Sequence, residues 1–520
     1  MAIDLKKYLP WLKPSTKLSE RWKKAIALRE VEWMRFEFQT GSAEGKLPDL
    51  GVLQREAARK GWDVESINKM SIYHDLYGDQ IERGYRRVVA EHRAQTDYKV
   101  MMVAVARCYS CRKYAEAMEL FLQFERSLLP DGEVCEYYGQ GIALIVASRR
   151  DISEARNYAD VVMVSGERSL FFAINAFFVY FELGDHERVR ELYEYLVTNQ
   201  SNNPHALQAL GWVELARGYY GEGFRLLEAR MALKDLVEIM PESVLPKERW
   251  NGVVTPGLRL LVVEEQGIGD TIMMARYLAE LKSRGIDVIF AGRELVVSLL
   301  EENFPTIEYF IRNKTDFSNV EFQCWTPMMS LPFYLNTTVE NVPGKSGYLA
   351  APADQKKYWK GRVTAGKGRL RVGIAWSGNP HHKFDKRRSL RFEDISSRIS
   401  SLQEIDFFAL QTAVPDIMPG NLHAMSDEFT TFADTAALIE MMDIVVSVDT
   451  SVIHLSGALG KKSLLMLPFR YEWRWGLDGP NNAWYDSVKV IRQVRHADWT
   501  EVLDFVFSDQ LPRLAKELTE

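Results

Sequence analysis

Cysteine is scarce in this 520-residue chain: Cys108, Cys111, Cys135 and Cys324 are the only four, far too few to staple a protein of this length. Long apolar runs are also missing. Ile142–Ala147 is among the longest, well short of the roughly 20 residues that cross a bilayer. The N-terminal residues Met1-Ala-Ile-Asp-Leu-Lys-Lys lack the hydrophobic core of a secretory signal. There is no excess of positive charge, since 65 Lys and Arg face 71 Asp and Glu; this argues against a general nucleic-acid-coating protein. A hydrophobic fraction of 47% against 26% charged is too apolar for a disordered chain. The expectation is a cytoplasmic, multidomain protein with no transmembrane segment and no nucleic-acid partner.

The pattern changes near residue 250. Before it, Leu/Ala/Glu/Arg segments return apolar residues every three or four positions and read as successive helices. Four segments recur: Arg112-Lys-Tyr-Ala-Glu-Ala117, Arg150-Asp-Ile-Ser-Glu-Ala155, Gly184-Asp-His-Glu-Arg-Val189 and Gly218-Tyr-Tyr-Gly-Glu-Gly223. Their last residues are spaced 38, 34 and 34 positions apart. Thirty-four is the tetratricopeptide period, so residues 96–250 are expected to form a helical solenoid of that kind. Residues 1–95 read as helical without a repeat.

After Pro256, short Val/Ile/Leu runs alternate with helical segments, the pattern of α/β units around parallel sheets. Strands are expected at Leu258–Val263, Val288–Ala291, Val372–Trp376, Phe407–Leu410, Ile444–Ser447 and Ser463–Leu467. The lysine-rich stretch Asp354–Arg371 reads as a partly helical connection between two groups of units. The expected organisation is 256–350 for the first lobe, 351–370 for the linker, 371–496 for the second lobe and 497–520 for a terminal helix.

Three turns carry the chemistry. Glu265-Gln-Gly-Ile-Gly-Asp-Thr271 follows the first strand, with Gly267 and Gly269 allowing close backbone approach to a ligand. Position 272 is Ile, where a dinucleotide fingerprint needs a third glycine, which disfavours nicotinamide binding. Asp270 admits two readings, helix cap and catalytic base. Trp376-Ser-Gly-Asn-Pro-His-His-Lys-Phe-Asp-Lys-Arg-Arg388 offers Ser377 and Asn379 as hydrogen bonders. It also offers Lys383, Lys386, Arg387 and Arg388 as cations for a diphosphate leaving group, or as a solvated basic loop. Paired His381 and His382, without carboxylates or cysteines in ligand spacing, are a weak metal signal. Asp449-Thr-Ser-Val-Ile-His454 opens a helix whose first turn suits a phosphate oxygen. The cluster Pro468–Trp475 contains Trp473 and Trp475, which could stack on a base or sugar or close the end of a sheet.

In this order, the three turns, with Ala275-Arg-Tyr277 and Gly457-Ala-Leu-Gly-Lys461, resemble bacterial tetratricopeptide-repeat glycosyltransferases. The catalytic half is similar to heptosyltransferases and, more remotely, to protein O-GlcNAc transferases. The resemblance covers Gly257–Gln493 and, more loosely, Lys113–Met231. It implies a GT-B architecture, two Rossmann-like lobes across a cleft, with acceptor in the first lobe and nucleotide-sugar in the second. It implies Asp270 as general base and Lys383 as a donor-phosphate cation. Asp449, Thr450, Ser451 and His454 match the donor motif, and Gln411 matches a donor-lobe position near the nucleotide. No metal or other cofactor is implied. The segment Pro468–Trp475 departs from the donor loop of heptosyltransferases.

The sequence thus points to metal-independent, inverting sugar transfer from a nucleotide-diphosphate donor to an acceptor hydroxyl, on a protein or peptide recruited by the solenoid. Two alternatives stay open: transfer onto a glycan or lipid-linked acceptor, and a non-catalytic scaffold that keeps nucleotide binding. Self-association is a further expectation for such solenoids.

Overall fold

The computed structural model describes residues 50–59, 71, 98–110, 113–123, 134–147, 152–165, 168–199, 203–233, 240 and 244, and then 247–519 apart from 364–365, 367, 381–384, 426–427, 470–471 and 496–497. The chain divides into two compact units, Met1–Tyr180 and Phe181–Glu520. Most of the expected 1–95 helical region, together with Cys111, His381, His382 and Lys383, lies outside the described residues.

In the first unit, α1 is Leu50–Arg59, α2 Tyr98–Ser110, α3 Tyr114–Gln123, α4 Val134–Ala147, α5 Ile152–Ser165 and α6 begins at Leu170. Helices α2 and α3 pack as one pair, α4 and α5 as the next, and α3 packs on α4. Phe121 stacks on Tyr137 at that junction, with ring centroids 4.5 Å apart. Ala117 and Ala155, the small residues of the recurring segments, are fully buried. A short helix pair exposes an apolar face on its own, and packing on the next pair covers it.

In the second unit, α7 is His186–Asn199, α8 Pro204–Ala216 and α9 Tyr220–Leu227. The recurring glycines Gly184 and Gly218 form the turns before α7 and α9, both with positive φ. Asn203 caps α8 by accepting from the His205 and Ala206 amides, and Pro204 supplies the fixed φ of a first helical residue. The pair α8–α9 is built against the α/β half: Tyr220 stacks on Trp484 at 5.6 Å and Phe224 meets Trp473 edge-on at 5.8 Å. Among the described residues no helix is long and apolar enough to cross a membrane.

Two parallel sheets follow. The first contains β1 (Arg259–Val263), β2 (Asp287–Gly292), β3 (Glu308–Ile311) and β4 (Cys324–Pro327) in the order β3-β2-β1-β4. The second contains β5 (Leu370–Ala375), β6 (Ile405–Ala409), β7 (Leu422–His423), β8 (Ile444–Val448), β9 (Ser463–Leu467) and β10 (Val488–Arg492), ordered β10-β9-β8-β5-β6-β7. Renumbered from its own first strand, the second sheet runs 3-2-1-4-5-6, the Rossmann order, and the first sheet is its opening 3-2-1-4. The twin-lobe expectation is met in this topology. In each sheet the strand order reverses beside the first strand, between β1 and β4 and between β5 and β8.

The crossover helices are α10 (Ile268–Met274), α11 (Arg276–Ser283), α12 (Glu294–Asn303) and the short α13 (Leu331–Tyr334) in the first lobe. The linker contains α14 (Ala353–Lys360). The second lobe adds α15 (Asp385–Arg388), α16 (Phe392–Ser401), α17 (Phe432–Glu440), α18 (Ser451–Ala458) and the terminal α19 (Thr500–Asp504) and α20 (Leu511–Thr519), joined by a π-helical stretch. The helical stretch after β1 is broken at Ala275 into α10 and α11. Val502, Val506, Phe507 and Leu511 of the terminal helices join the core under β5, β6 and β8.

Candidate functional site

Parallel strands in an open sheet leave their ligand crevice at the carboxyl ends, where the strand order reverses. Here both lobes turn those ends toward one cavity of about 980 Å³. Its wall is assembled from the turns after β1, β5, β6 and β8, together with residues after β2, β7 and β9. Gly267, Gly269, Asp270, Ser377, Asn379, Arg388, Gln411, Asp449, Thr450, Ser451 and His454 all line it. Residues as far apart in sequence as Gly267 and His454 therefore meet at one surface. Lys383 lies outside the described residues, as does the Arg387 side chain.

The lobes touch at the cavity floor. Helix α10 packs on α18 so closely that a Cβ on Gly269 would come within 2.8 Å of the His454 ring. Beside this contact, Asp270 of the first lobe pairs with Arg474 of the second. Arg474 Nε donates to Asp270 Oδ1 at 2.9 Å, and Nη2 donates to the same oxygen. The other carboxylate oxygen, Oδ2, accepts from the Gly267 amide at 3.0 Å, which is the capping bond. Arg474 Nη1 donates to Glu472 at 2.5 Å. Burial disfavours the charged guanidinium, but Asp270, Glu472 and Asp449 outweigh it and push the Arg474 pKa up.

His454 is buried with its ring 5.1 Å from Trp475 in a stacked arrangement, and its Nδ1 lies 3.1 Å from the Tyr485 hydroxyl. Burial, aided by Arg474, lowers its pKa to about 3, so it is neutral at physiological pH. Asp449 accepts from Trp475 Nε1 at 3.0 Å. Burial, then Glu472, raises the Asp449 pKa, while Arg388, Arg474 and the Trp475 bond pull the other way. Thr450 caps α18, its hydroxyl accepting from the Val452 amide at 3.3 Å.

The second turn is held by struts. Gln411 Oε1 accepts from the Trp376 and Ser377 amides at 2.9 and 3.2 Å. Its Nε2 donates to Ser377 Oγ and to the Ala413 carbonyl. Arg388 Nη1 donates to the Asp449 carbonyl at 2.8 Å, tying this turn to the third. Gln411 and Arg388 therefore shape the wall as well as lining it.

Trp473 and Trp475 are placed differently from the stacking role considered for them. Neither lines the cavity: Trp473 is buried among Phe224 and Trp484, and Trp475 lies beneath His454 and Asp449. The aromatic rings pack into the interior, and the arginine between them reaches the site. Sequence reasoning passed over Arg474 because the tryptophans on either side drew the assignment; alternation along Trp473-Arg-Trp475 was the available signal. It also missed Arg293, whose guanidinium is paired with the fully buried Glu264 and donates to the Gln266 carbonyl at 2.8 Å. Gln266 itself is held at φ 61°, a left-handed conformation unusual for a side chain other than glycine. Glu265, just before it, receives a forked pair of bonds from Arg230 at 3.0 and 2.7 Å. Among the described residues no group of three or more His, Cys, Asp or Glu side chains is placed to hold a metal ion.

No protein-family model matches the chain. Protein FlbA of Caulobacter vibrioides is 24% identical over 322 residues, covering 55% of this chain and 51% of that protein. The chain thus spans about half the length of the curated relative it matches. Among solved structures, it is similar to a family 9 glycosyl transferase from Veillonella parvula, at 11% identity and a TM-score of 0.37 over 52% of this chain and 99% of that one. The ADP-heptose lipopolysaccharide heptosyltransferase II of E. coli gives 13% identity and a TM-score of 0.35 over 50% and 97%. An O-GlcNAc transferase from Thermobaculum terrenum gives 10% and 0.29 over 86% and 90%. These structural neighbours are glycosyltransferases of the kinds that the sequence motifs resemble.

Proposed function

We propose that the protein is a glycosyltransferase that moves a sugar from a nucleotide-diphosphate donor to an acceptor hydroxyl, with inversion. The observation that carries this reading is the meeting of the turns after β1, β5 and β8 at one cavity between two Rossmann-ordered sheets. The second-lobe wall offers the start of α18 and Arg388, a setting suited to a diphosphate. The first-lobe wall offers Asp270, the carboxylate for an acceptor proton.

In the proposed step the acceptor oxygen gives its proton to Asp270 and bonds the anomeric carbon. The bond from that carbon to the diphosphate oxygen breaks, and the diphosphate leaves with the electron pair. Arginine side chains and backbone amides of the second lobe stabilise that growing charge, so the reading requires no metal. The close lobe contact at Gly269 and His454 keeps water from the donor. The helical pairs before the α/β half supply a surface for a protein or peptide acceptor, and repeat stacking supplies contacts between copies of the chain.

The test is calorimetric binding of ADP, GDP, UDP and CMP and their common sugar conjugates, followed by assay of nucleoside diphosphate release from the sugar that binds. Selective binding, with release that depends on acceptor and falls at least about 100-fold in Asp270→Asn, is the expected result. Binding without release under any acceptor would leave a nucleotide-binding scaffold. No binding by folded protein would remove the transfer reading altogether.

A further inference from the structure

Both carboxylate oxygens of Asp270 are engaged by hydrogen-bond donors. Two guanidinium N–H groups converge on Oδ1 and the Gly267 amide occupies Oδ2. The other arginines described on the cavity wall are each anchored to a group other than the candidate base. Arg293 is paired with buried Glu264, and Arg388 is tied to Asp385 and to the Asp449 carbonyl. Arg474 is the cation whose partner is the candidate base itself, and both members of the pair line the same cavity.

The pair is built to part without rearranging either side. Arg474 presents to Asp270 the fork of Nε and Nη2, the edge of a guanidinium that matches two oxygens of a phosphate as well as a carboxylate. Its remaining nitrogen, Nη1, is held by Glu472 of the same lobe, so the arginine stays in place when the fork is released. Asp270 likewise keeps its bond from Gly267 on Oδ2, so the carboxylate stays aimed when Oδ1 is freed.

We propose that the donor's diphosphate takes the Arg474 fork from Asp270, so that donor binding unmasks the base and makes binding ordered, donor before acceptor. The inference rests on the transfer reading above. An anion held by Arg474 draws both guanidinium N–H groups away from Oδ1 and leaves that oxygen open to an acceptor hydroxyl, while the Gly267 amide keeps the carboxylate aimed. The base thus becomes competent only when a leaving group is in position, which limits acceptor deprotonation in an empty site.

The experiment measures binding of adenosine, guanosine and uridine di- and monophosphates to the full chain and to Asp270→Asn, Arg474→Lys and Arg474→Ala. Asp270→Asn removes the competing charge and is expected to tighten diphosphate binding about three- to ten-fold, with monophosphate binding little changed. Arg474→Ala is expected to weaken diphosphate binding by about ten-fold or more, since a charge-assisted pair is lost, and to affect monophosphate much less. Arg474→Lys keeps the charge without the fork and should fall between. Thermal melts establish folding; if Arg474→Ala does not fold, Asp270→Asn and Arg474→Lys decide the matter. Unchanged or weaker diphosphate binding in Asp270→Asn, with wild-type binding intact, overturns the exchange and leaves the transfer reading standing. Failure of the wild type to bind any nucleotide overturns both.

Discussion

Gly269 and His454 lie against each other across the two lobes, so close that a methyl group on Gly269 would stand 2.8 Å from His454 Cδ2. Neither side can yield cheaply. The imidazole is stacked on Trp475 and bonded to Tyr485, and Gly269 belongs to the first turn of α10. Interlobe contact at this point is therefore conditional on the absence of a side chain.

Gly269→Ala is accordingly expected to hold the lobes apart. Overpacking of this kind costs about 1–3 kcal/mol. Because lobe opening relieves the clash, the penalty should fall on the closed form that surrounds a ligand. Nucleotide affinity measured by calorimetry should drop about ten-fold or more, with a smaller change in melting temperature. Unchanged affinity would show that the contact plays no part in ligand binding.

Gln411 is a structural strut inside the site. Replacing it with Ala leaves the Trp376 and Ser377 amides without their acceptor, and a lost partner at a buried group costs about 1–3 kcal/mol. The turn after β5 should loosen, with nucleotide binding reduced and hydrogen exchange of those amides faster. Gln411→Glu keeps the acceptor but not the donor to Ala413, and should recover part of the loss. Equal exchange at Trp376 and Ser377 in wild type and Gln411→Ala would refute the strut.

The strands expected from sequence show which part of the fold was legible. All six, β1, β2, β5, β6, β8 and β9, are interior strands of their sheets. An interior parallel strand is covered on both faces and reads as a continuous apolar run, as Leu260-Leu-Val-Val263 and Ile444-Val-Val446 do. The four that sequence reading passed over, β3, β4, β7 and β10, are the sheet edges. β3 is half-exposed, β10 alternates through exposed Lys489, β7 is two residues long and β4 ends in Pro327. β3 and β10 carry mixed patterns because water reaches one side of them, whereas β4 is buried throughout and is covered by the segment Glu248–Trp250, its shortness and proline being what hid it.

The site divided along a similar line. Residues on turns directly after apolar strands were recognisable, because strand, glycine and helix start sit together in the chain. Arg474 was not, because its partner Asp270 is 204 positions away and only the apposition of lobes makes them a pair. Arg230 was equally hidden. It leaves the helical segment after α9 to meet buried Glu265 and Ser330 and half-buried Glu228.

That buried network makes a stability prediction. Arg230 and Glu265 are almost wholly removed from water, and burial opposes the Arg230 charge while Glu265 and Glu228 sustain it and push its pKa up. Arg230→Met leaves buried Glu265 without its cationic partner, while Glu228 keeps Arg249; breaking one side of a buried pair costs about 3–5 kcal/mol. Urea unfolding should show that loss, and Arg230→Met with Glu265→Gln should be less destabilised than the sum of the single changes. Additive losses would mean that the two residues do not support each other.

His454 gives the molecule an acid-sensitive point. Its pKa is lowered to about 3 in the folded state by burial and Arg474, against about 6.5 in an unfolded chain. Between those values the unfolded chain binds a proton that the folded one refuses, so stability rises with pH in that window and is lost as pH falls below about 6.5. Going from pH 7 to pH 5, this one group should remove about 2 kcal/mol. His454→Asn lacks the proton-binding group, so its unfolding free energy should fall less over the same interval by about that amount. Urea titrations of both proteins at the two pH values measure the difference directly. Parallel pH slopes would show that the ring binds protons alike in the folded and unfolded chain, so that burial and Arg474 do not hold its pKa down.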